Sequence, residues 1–172
     1  MSSIDLAKDS NAENINDDLS RQYLTFFMDN QIMGIPLINV EQIVQIQNIT
    51  PVPETPEYFK GVMDLRGNLI PLIDMRLRLK RDEAEYNDKT AIIICIVKNS
   101  LIGYIVDSVD EVVTLQDDYI KPMPRVNAAS NTDYATGIAR YPVGDKYKII
   151  ILIDVDKLNS DEDLVLIDDL QE

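Results

Sequence analysis

The sequence repeats itself, and this internal repeat constrains the fold more than any other feature. Residues 27–44, FMDNQIMGIPLINVEQIV, align with residues 96–113, IVKNSLIGYIVDSVDEVV, at an offset of 69. The aligned identities are asparagine, glycine and valine: Asn30 with Asn99, Gly34 with Gly103, Val40 with Val109, and Val44 with Val113. Several matches in the same order indicate two copies of one supersecondary unit.

Three further matches follow the repeat in the same order. An I-x-P-x-P pattern occurs at 49–53 and 120–124, a Y-x-x-G pattern at 58–61 and 134–137, and Ile-Asp at 73–74 and 153–154. The segments between them are short, rich in Ile, Val and Tyr, and bounded by Gly, Pro, Asn and Asp, which is typical of strands. A unit of about 70 residues made of short strands suits a small closed barrel, whose edges need no covering helix. We therefore predict a mainly β protein with two barrels side by side.

We expect four regions along the chain. Residues 1–20 are polar, rich in Asn, Asp and Ser, and are predicted to be a disordered tail. The first barrel is predicted over 21–84 and the second over 85–158, with the charged connector KRDEAEYNDK at 80–89. A helix and tail are predicted over 159–172, because Ser160 and Asp163 have the spacing of a capping box.

Composition excludes several classes of function. The 172 residues include 30 acidic and 16 basic ones, and with a net charge of -14 nucleic acid is not an expected partner. No run approaches the ~20 apolar residues of a membrane helix, and the start lacks the pattern of a signal peptide, so we expect a cytoplasmic protein without membrane insertion. The chain has no histidine and no glycine-rich nucleotide motif, so no cofactor and no metal are expected. The single cysteine, Cys95, lies in an apolar strand, where burial would raise its pKa.

The stretch GVMDLRGNLIPLIDMR, residues 61–76, ends on Arg76 and places three further charged residues among apolar ones: Asp64, Arg66 and Asp74. Two carboxylates can act as a general acid and base, but a neighbouring arginine keeps both ionised. Ion pairing or recognition is therefore favoured over catalysis. Gly67-Asn68 is a two-residue hairpin signal, which puts Arg66 at a hairpin tip, where it can reach a partner or remain solvated.

The tyrosines and the repeated valines allow two interpretations. Aromatic residues are common in binding hot spots, but Tyr23, Tyr104 and Tyr147 lie in apolar runs and are predicted to be core. Two equivalent apolar patches are formed by Val40, Ile43 and Val44 and by Val109, Val112 and Val113. The patches are predicted to be core unless both face the junction between the barrels. Junctions often bind ligands or peptides, so a buried junction and a binding junction are equally compatible with the sequence.

These motifs resemble the CheW family of bacterial chemotaxis coupling proteins. The resemblance is carried by IMGIPLINVEQIV, TPEYFKGVMDLRGNLIPLIDMR, YNDKTAIIICIV, IGYIVDSVDEVVTL and IKPMP, and it extends from about Gln22 to Leu170. It implies two SH3-like five-stranded β-barrels with a C-terminal helix, and an adaptor without enzymatic activity. Such adaptors link the cytoplasmic tips of chemoreceptors to the histidine kinase CheA. The resemblance thus implies a chain that is monomeric alone and located at receptor arrays on the inner face of the cytoplasmic membrane.

Carried over by position, the resemblance also implies binding residues. A receptor-binding groove between the barrels would involve Val40, Arg66 and Val112. One contact with the kinase would fall around Gln42 and Ile43, and the other around Lys121 and Val126. Family members often carry an acidic residue where Gln42 stands and a bulky aromatic where Val126 stands. The two kinase contacts therefore match the family less closely than the groove does.

Two other functions remain as alternatives. An adaptor of the same fold could serve another two-component pathway, such as surface motility or gene regulation, with a different receptor and kinase. A hydrolase could use Asp64 and Asp74. The absence of histidine, the neighbouring Arg66 and the lack of a phosphate-binding or metal-binding loop weigh against this second alternative.

Overall fold

The computed structural model describes residues 19–124 and 133–171. Most of the predicted tail and the predicted kinase-contact residue Val126 lie outside the described residues. The strands are β1 Gln22–Met28, β2 Gln31–Pro36, β3 Val40–Gln45, β4 Phe59–Leu65, β5 Asn68–Asp74, β6 Ala91–Val97, β7 Ser100–Val106, β8 Ser108–Thr114, β9 Ile120–Pro122, β10 Ala135–Val143 and β11 Lys146–Ile153. The helices are α1 Met75–Arg78, α2 Val155–Leu158 and α3 Asp161–Gln171. The prediction of a mainly β protein is confirmed.

The strands form two sheets of similar topology. One has the order β3-β6-β7-β5-β4, and the other has the order β8-β1-β2-β11-β10-β9. We call them the β3 sheet and the β8 sheet, after the edge strand that each order begins with. Each has one parallel pair, β5 with β7 and β11 with β2, while the other strand pairs are antiparallel.

The sequence repeat relates the two sheets residue by residue. Val40 lies opposite Cys95 in the β3 sheet, and at the offset of 69 this pair becomes Val109 opposite Phe26 in the β8 sheet. The sixth strand of the β8 sheet, the short β9, corresponds to a single bridge made by Thr50 in the β3 sheet. The β3 sheet thus has the predicted five strands, whereas the β8 sheet has six because it includes β9.

The two repeats exchange hairpins. The β1–β2 hairpin pairs with β8 and β11, and the β6–β7 hairpin pairs with β3 and β5. Each sheet therefore takes strands from both predicted barrels, 21–84 and 85–158, which differs from the expected division of the chain. The chain crosses between the sheets at Leu37–Asn39 and at Asp107. Asp107 alone separates β7 from β8, and a tight hairpin needs about two turn residues, so β8 pairs with β1 and not with β7.

The exchange creates a core that both sheets share. Side chains from the β1–β2 and β6–β7 hairpins pack together there, and Phe26 and Tyr104 are fully buried. Two smaller clusters lie within the individual sheets, one around Leu72 and the other around Ile150. Cys95 belongs to the shared core, and burial raises the pKa of its thiol to about 12. The predicted burial of Cys95 is confirmed.

The C-terminal helix α3 packs on β5 and β7 of the β3 sheet. The Ser160 N–H donates to the Asp163 carboxylate at 3.0 Å, and the Asp163 N–H donates to the Ser160 hydroxyl at 3.1 Å, which confirms the predicted capping box. The hydroxyl of Tyr58 donates to the same Asp163 carboxylate at 2.5 Å. Burial and this carboxylate raise the pKa of Tyr58 to about 12. The helix start is thereby fixed to the loop that precedes β4.

Candidate functional site: two exposed apolar grooves

A groove of about 530 Å³ opens between the two sheets, beside their edge strands β3 and β8. Strand β3 contributes Ile43, Val44 and Gln45 to its lining, and strand β8 contributes Ser108 and Val109. Residues 88–91 complete the wall. The junction between the repeats is therefore open to solvent on this side, as a binding surface requires. We call it the inter-sheet groove.

The predicted receptor-binding valines border the inter-sheet groove without lining it. Val40, the first residue of β3, is half-buried and packs against the shared core. Val112, on β8, is 48% exposed and lies opposite Leu24 of β1. The residues that line the groove at the corresponding places are Val109 and Ile43, which are the repeat mates of Val40 and Val112.

Both edge strands are irregular next to the inter-sheet groove. The register of β3 shifts between Val40 and Gln42, and the pairing of β8 with β1 shifts at Thr25. The Thr25 hydroxyl donates to the Glu111 carbonyl at 2.7 Å and accepts from the Glu111 N–H at 3.1 Å, which satisfies the irregular backbone of β8. Bulges of this kind re-aim side chains at the edge of a sheet. In this protein the two bulges lie in the edge strands next to the inter-sheet groove, where they can change the direction of the side chains that border it.

The hairpin between β4 and β5 carries Arg66 at its tip, as predicted, but the turn is one residue earlier than expected. The central turn residues are Arg66 and Gly67, with φ of 54° and 87°, and not Gly67 and Asn68. This register pairs Met63 with Ile70, both buried, and a slip of one residue would turn each side chain to the opposite face. Arg66 is exposed and has no hydrogen bond or ion pair among the residues that the structure describes.

The two aspartates near Arg66 serve the backbone. Asp64 accepts a hydrogen bond from the Gly67 N–H at 2.8 Å and so closes the turn. Asp74 is buried, caps α1 through the Leu77 N–H at 3.3 Å, and accepts the hydroxyl of Tyr86 at 2.7 Å. Burial and this carboxylate raise the pKa of Tyr86. The expected ion pairing with Arg66 is not seen within the described ranges, and neither carboxylate is arranged for acid–base chemistry.

A second groove, of about 590 Å³, lies on the outer face of β9, β10 and β11 at the far edge of the β8 sheet. Its apolar lining includes Ile138, Tyr147 and Ile149, and Tyr147 and Ile149 are 56% and 51% exposed. Lys121 and Arg140 provide its positive charge, and the Arg140 guanidinium lies 4.2 Å from the centroid of the Tyr147 ring. We call it the outer groove. An exposed apolar surface of this kind is typical of a protein-binding site.

The two predicted kinase contacts fall on different grooves. Lys121 lines the outer groove, whereas Ile43 lines the inter-sheet groove, with Gln42 half-buried beside it. The prediction that Tyr147 belongs to the core is wrong: the ring lies on the outer face of β11. The apolar run that misled the prediction is YKIIILID, residues 147–154. Tyr147 and Ile149 line the outer groove, whereas residues 150–153 pack against apolar clusters on both faces of β11.

Within residues 19–124 and 133–171, no cluster of three or more Cys, Asp or Glu side chains could hold a metal ion. Over the same ranges, no helix is long and apolar enough to cross a membrane.

Comparisons with known proteins agree with this architecture. The family model described as "CheW-like domain" matches residues 22–163. The chain is 30% identical over 152 residues to the chemotaxis protein CheW of Klebsiella aerogenes, an alignment that covers 88% of this chain and 89% of that protein. It is also 30% identical to CheW of Treponema pallidum, covering 83% of this chain and 84% of the relative.

A solved structure gives the same result. The crystal structure of the scaffolding protein TtCheW from Thermoanaerobacter tengcongensis matches with a TM-score of 0.71 and 32% sequence identity, over 81% of this chain and 92% of that one. The relatives named above are chemotaxis and scaffolding proteins and not enzymes, which weighs against the hydrolase alternative. The repeat, the exchange of hairpins between the two sheets and these matches together show that the chain belongs to the CheW-like domain family.

Proposed function

We propose that this protein is a chemotaxis adaptor that binds the cytoplasmic tips of chemoreceptors and the regulatory domain of the histidine kinase CheA at the same time, at receptor arrays on the inner face of the cytoplasmic membrane. The observation that carries the proposal is the presence of two exposed apolar grooves on opposite edges of the β8 sheet. An adaptor needs separate surfaces that two partners can occupy together. The named relatives, which are chemotaxis proteins, support it.

The receptor tip would bind at the inter-sheet groove. Val112 and Ile43 expose apolar surface on the two edge strands. Val40, at the start of β3, packs against the shared core and so anchors this strand. A helical tip would bury these side chains as the apolar centre of an interface with a polar rim. Arg66 would add a charged contact, since its guanidinium has five donors, and the described residues leave them without a protein acceptor.

The kinase would bind chiefly at the outer groove, around Lys121, with Tyr147 and Ile149 as apolar anchors. Tyrosine is a frequent hot-spot residue, and the stacked Arg140 holds its ring in place. The second kinase contact, around Gln42 and Ile43, would lie at the edge of the receptor groove and share Ile43 with it. Each contact can be weak, because binding several partners in one array raises the overall affinity.

The receptor site is tested by Val112→Asp, which places a charge at an exposed position and spares the core. The matched control is Val165→Asp on α3, which is 61% exposed and lies on neither groove. We expect Val112→Asp to weaken binding of a purified chemoreceptor cytoplasmic fragment by about 30-fold, as expected for a hot spot worth ~2 kcal/mol. The control should bind normally. Equal affinities for the two variants would refute the assignment of the receptor site.

The kinase site is tested by Ile149→Asp, an exposed position in the outer groove. Binding of the CheA regulatory domain, measured by titration calorimetry, should fall while binding of the receptor fragment is kept. Val165→Asp again serves as the control. If Ile149→Asp reduced both affinities equally, the two partners would share one surface and the proposal of separate sites would be wrong.

A further inference from the structure

An arginine side chain holds one of the two crossings between the sheets. Asp107 is the whole connection between β7 of the β3 sheet and β8 of the β8 sheet. The Arg76 side chain of α1 donates to both carboxylate oxygens of Asp107, from Nε to Oδ1 at 2.7 Å and from Nη2 to Oδ2 at 2.7 Å. Bidentate pairs of this kind fix geometry more tightly than a single hydrogen bond does.

The same contact also reaches the exchanged hairpin. Asp29, in the turn between β1 and β2, donates its N–H to Asp107 Oδ2 at 2.8 Å, and its carboxylate lies 2.7 Å from Arg76 Nη2. Arg81, beyond the end of α1, donates to the Met28 carbonyl at 3.1 Å. The segment that follows β5 in the β3 sheet is thereby joined to the hairpin that completes the β8 sheet.

We call the contacts that join Arg76, Asp107 and Asp29 the clamp. The clamp is only partly exposed to solvent. The side chains of Arg76 and Asp107 are 18% and 27% exposed, so screening by salt is reduced relative to a surface pair. Burial by itself would raise the pKa of Asp107, but the hydrogen bonds from Arg76 and from the Asp29 N–H outweigh it and hold that pKa below its usual value. Asp107 is therefore charged at neutral pH, as the bidentate contact requires.

The sequence repeat provides no second clamp. At the offset of 69, Asp107 corresponds to Ile38 and Asp29 to Lys98, so neither carboxylate has a counterpart. Ile38 lies in the other crossing, Leu37–Asn39, and is 69% exposed. One crossing is thus a short 3-10 turn. The other is the single residue Asp107, which is held by its ion pair with Arg76. The asymmetry indicates that the clamp is a feature of this junction and not of the repeated unit.

We propose that Arg76 is a positioning residue that fixes the relative orientation of the two sheets by holding Asp107, and that this sets the width of the inter-sheet groove. The two residues after Asp107, Ser108 and Val109, line that groove directly. A change at Asp107 is transmitted to them through two peptide units. The consequence for receptor binding rests on the function proposed above, whereas the effect on sheet orientation does not.

Sheet orientation can be measured without any partner. Spin labels on Ile96→Cys in β6 and Thr114→Cys in β8 report one distance across the two sheets, from exposed sites outside the groove lining. The native Cys95 is buried and would not react. We expect Arg76→Gln to broaden or shift the distance distribution measured by pulsed electron paramagnetic resonance. Lys60→Gln, which removes the Lys60–Glu83 ion pair within the segment from β4 to the connector, is the matched control.

The outcomes separate the clamp from the proposed function. An unchanged distribution in folded Arg76→Gln would overturn the clamp, and Asp107→Asn provides the same test if Arg76→Gln does not fold. Binding of the chemoreceptor fragment should weaken by roughly 2- to 30-fold in Arg76→Gln, the range typical of coupled positions, with a smaller loss in Arg76→Lys. Unchanged binding despite an altered distance would refute the role in groove width. Failure of the wild-type protein to bind the fragment would instead refute the proposed function. The distance measurement would still test whether Arg76 fixes the orientation of the two sheets.

Discussion

Replacing Gly61 by alanine should destabilise the protein strongly, for reasons that the structure makes specific. Gly61 has a φ of 137°, where side chains are rarely tolerated, and an added Cβ would lie 2.1 Å from the Thr50 carbonyl oxygen. That oxygen accepts from the Val62 N–H at 2.9 Å, and the Thr50 N–H donates to the Val62 carbonyl at 2.9 Å. Relieving the clash therefore breaks the bridge that stands in for a sixth strand in the β3 sheet.

The cost can be estimated from these two contributions. A residue forced into a disfavoured backbone region costs about 1–3 kcal/mol, and each lost hydrogen bond contributes roughly 0.5–1.5 kcal/mol. The sum is about 4 kcal/mol, which would lower the melting temperature by roughly 8–16 °C in a protein of this size. Differential scanning calorimetry would measure the shift.

Gly67→Ala is the matched control for this experiment. Gly67 also has positive φ, 87°, but nothing lies within 4 Å of an added Cβ. Alanine there should cost only the backbone strain, about 1–3 kcal/mol. If Gly61→Ala lowered the melting temperature no more than Gly67→Ala, the close approach of Thr50 would not matter and the reasoning would be wrong.

Two further predictions concern titratable groups. Because burial raises the pKa of Cys95 to about 12, iodoacetamide should fail to alkylate the folded protein at pH 8, and rapid labelling without denaturant would contradict the packing of the shared core. Because the pKa of Asp107 is lowered in the folded state, its contribution to stability is present above the unfolded pKa and is lost as pH falls through the folded pKa. The difference in unfolding free energy between wild type and Asp107→Asn, measured in urea, should therefore shrink from pH 5 to pH 3, and a constant difference would count against the clamp.

The repeat predicted much of the fold because equivalent positions of the two sheets require the same type of residue. Gly103 shows why: an added Cβ there would lie 2.5 Å from Leu72, its neighbour across the parallel pair of β5 and β7. Gly34, its repeat mate, occupies the same place beside β11. Such positions keep their identity in both copies, so the presence of two related units of short strands can be predicted from the sequence.

The exchange of hairpins could not be predicted in the same way. Two copies that each close on themselves and two copies that exchange hairpins bring the same residue types together, as Val40–Cys95 and Val109–Phe26 illustrate. Only the length of the connection distinguishes them, and the single residue Asp107 is too short for a hairpin turn. The boundary of β7 is not visible in the apolar run around it.

The candidate site was predicted less completely than the fold. The hairpin signal located Arg66 at a hairpin tip. The family resemblance named Lys121 as a kinase contact, which stays a prediction, and the structure places Lys121 in the lining of the outer groove. The prediction missed Tyr147 and Ile149, because an apolar run does not reveal which of its side chains face outward when both faces of a strand are apolar. The run YKIIILID became interpretable only once β11 was placed between β2 and β10.

The central claim is that one molecule holds receptor and kinase together, and co-sedimentation with receptor-containing membranes tests it most directly. The CheA regulatory domain should pellet with the membranes in proportion to the added protein, above the level seen with receptor alone. Val112→Asp should strongly reduce pelleting of the protein and return the kinase domain to the level seen with receptor alone. Ile149→Asp should pellet normally itself but also leave the kinase domain at that level. If the kinase domain instead displaced the protein from the membranes, the two partners would compete for one surface, and the account of a two-sided adaptor would be contradicted.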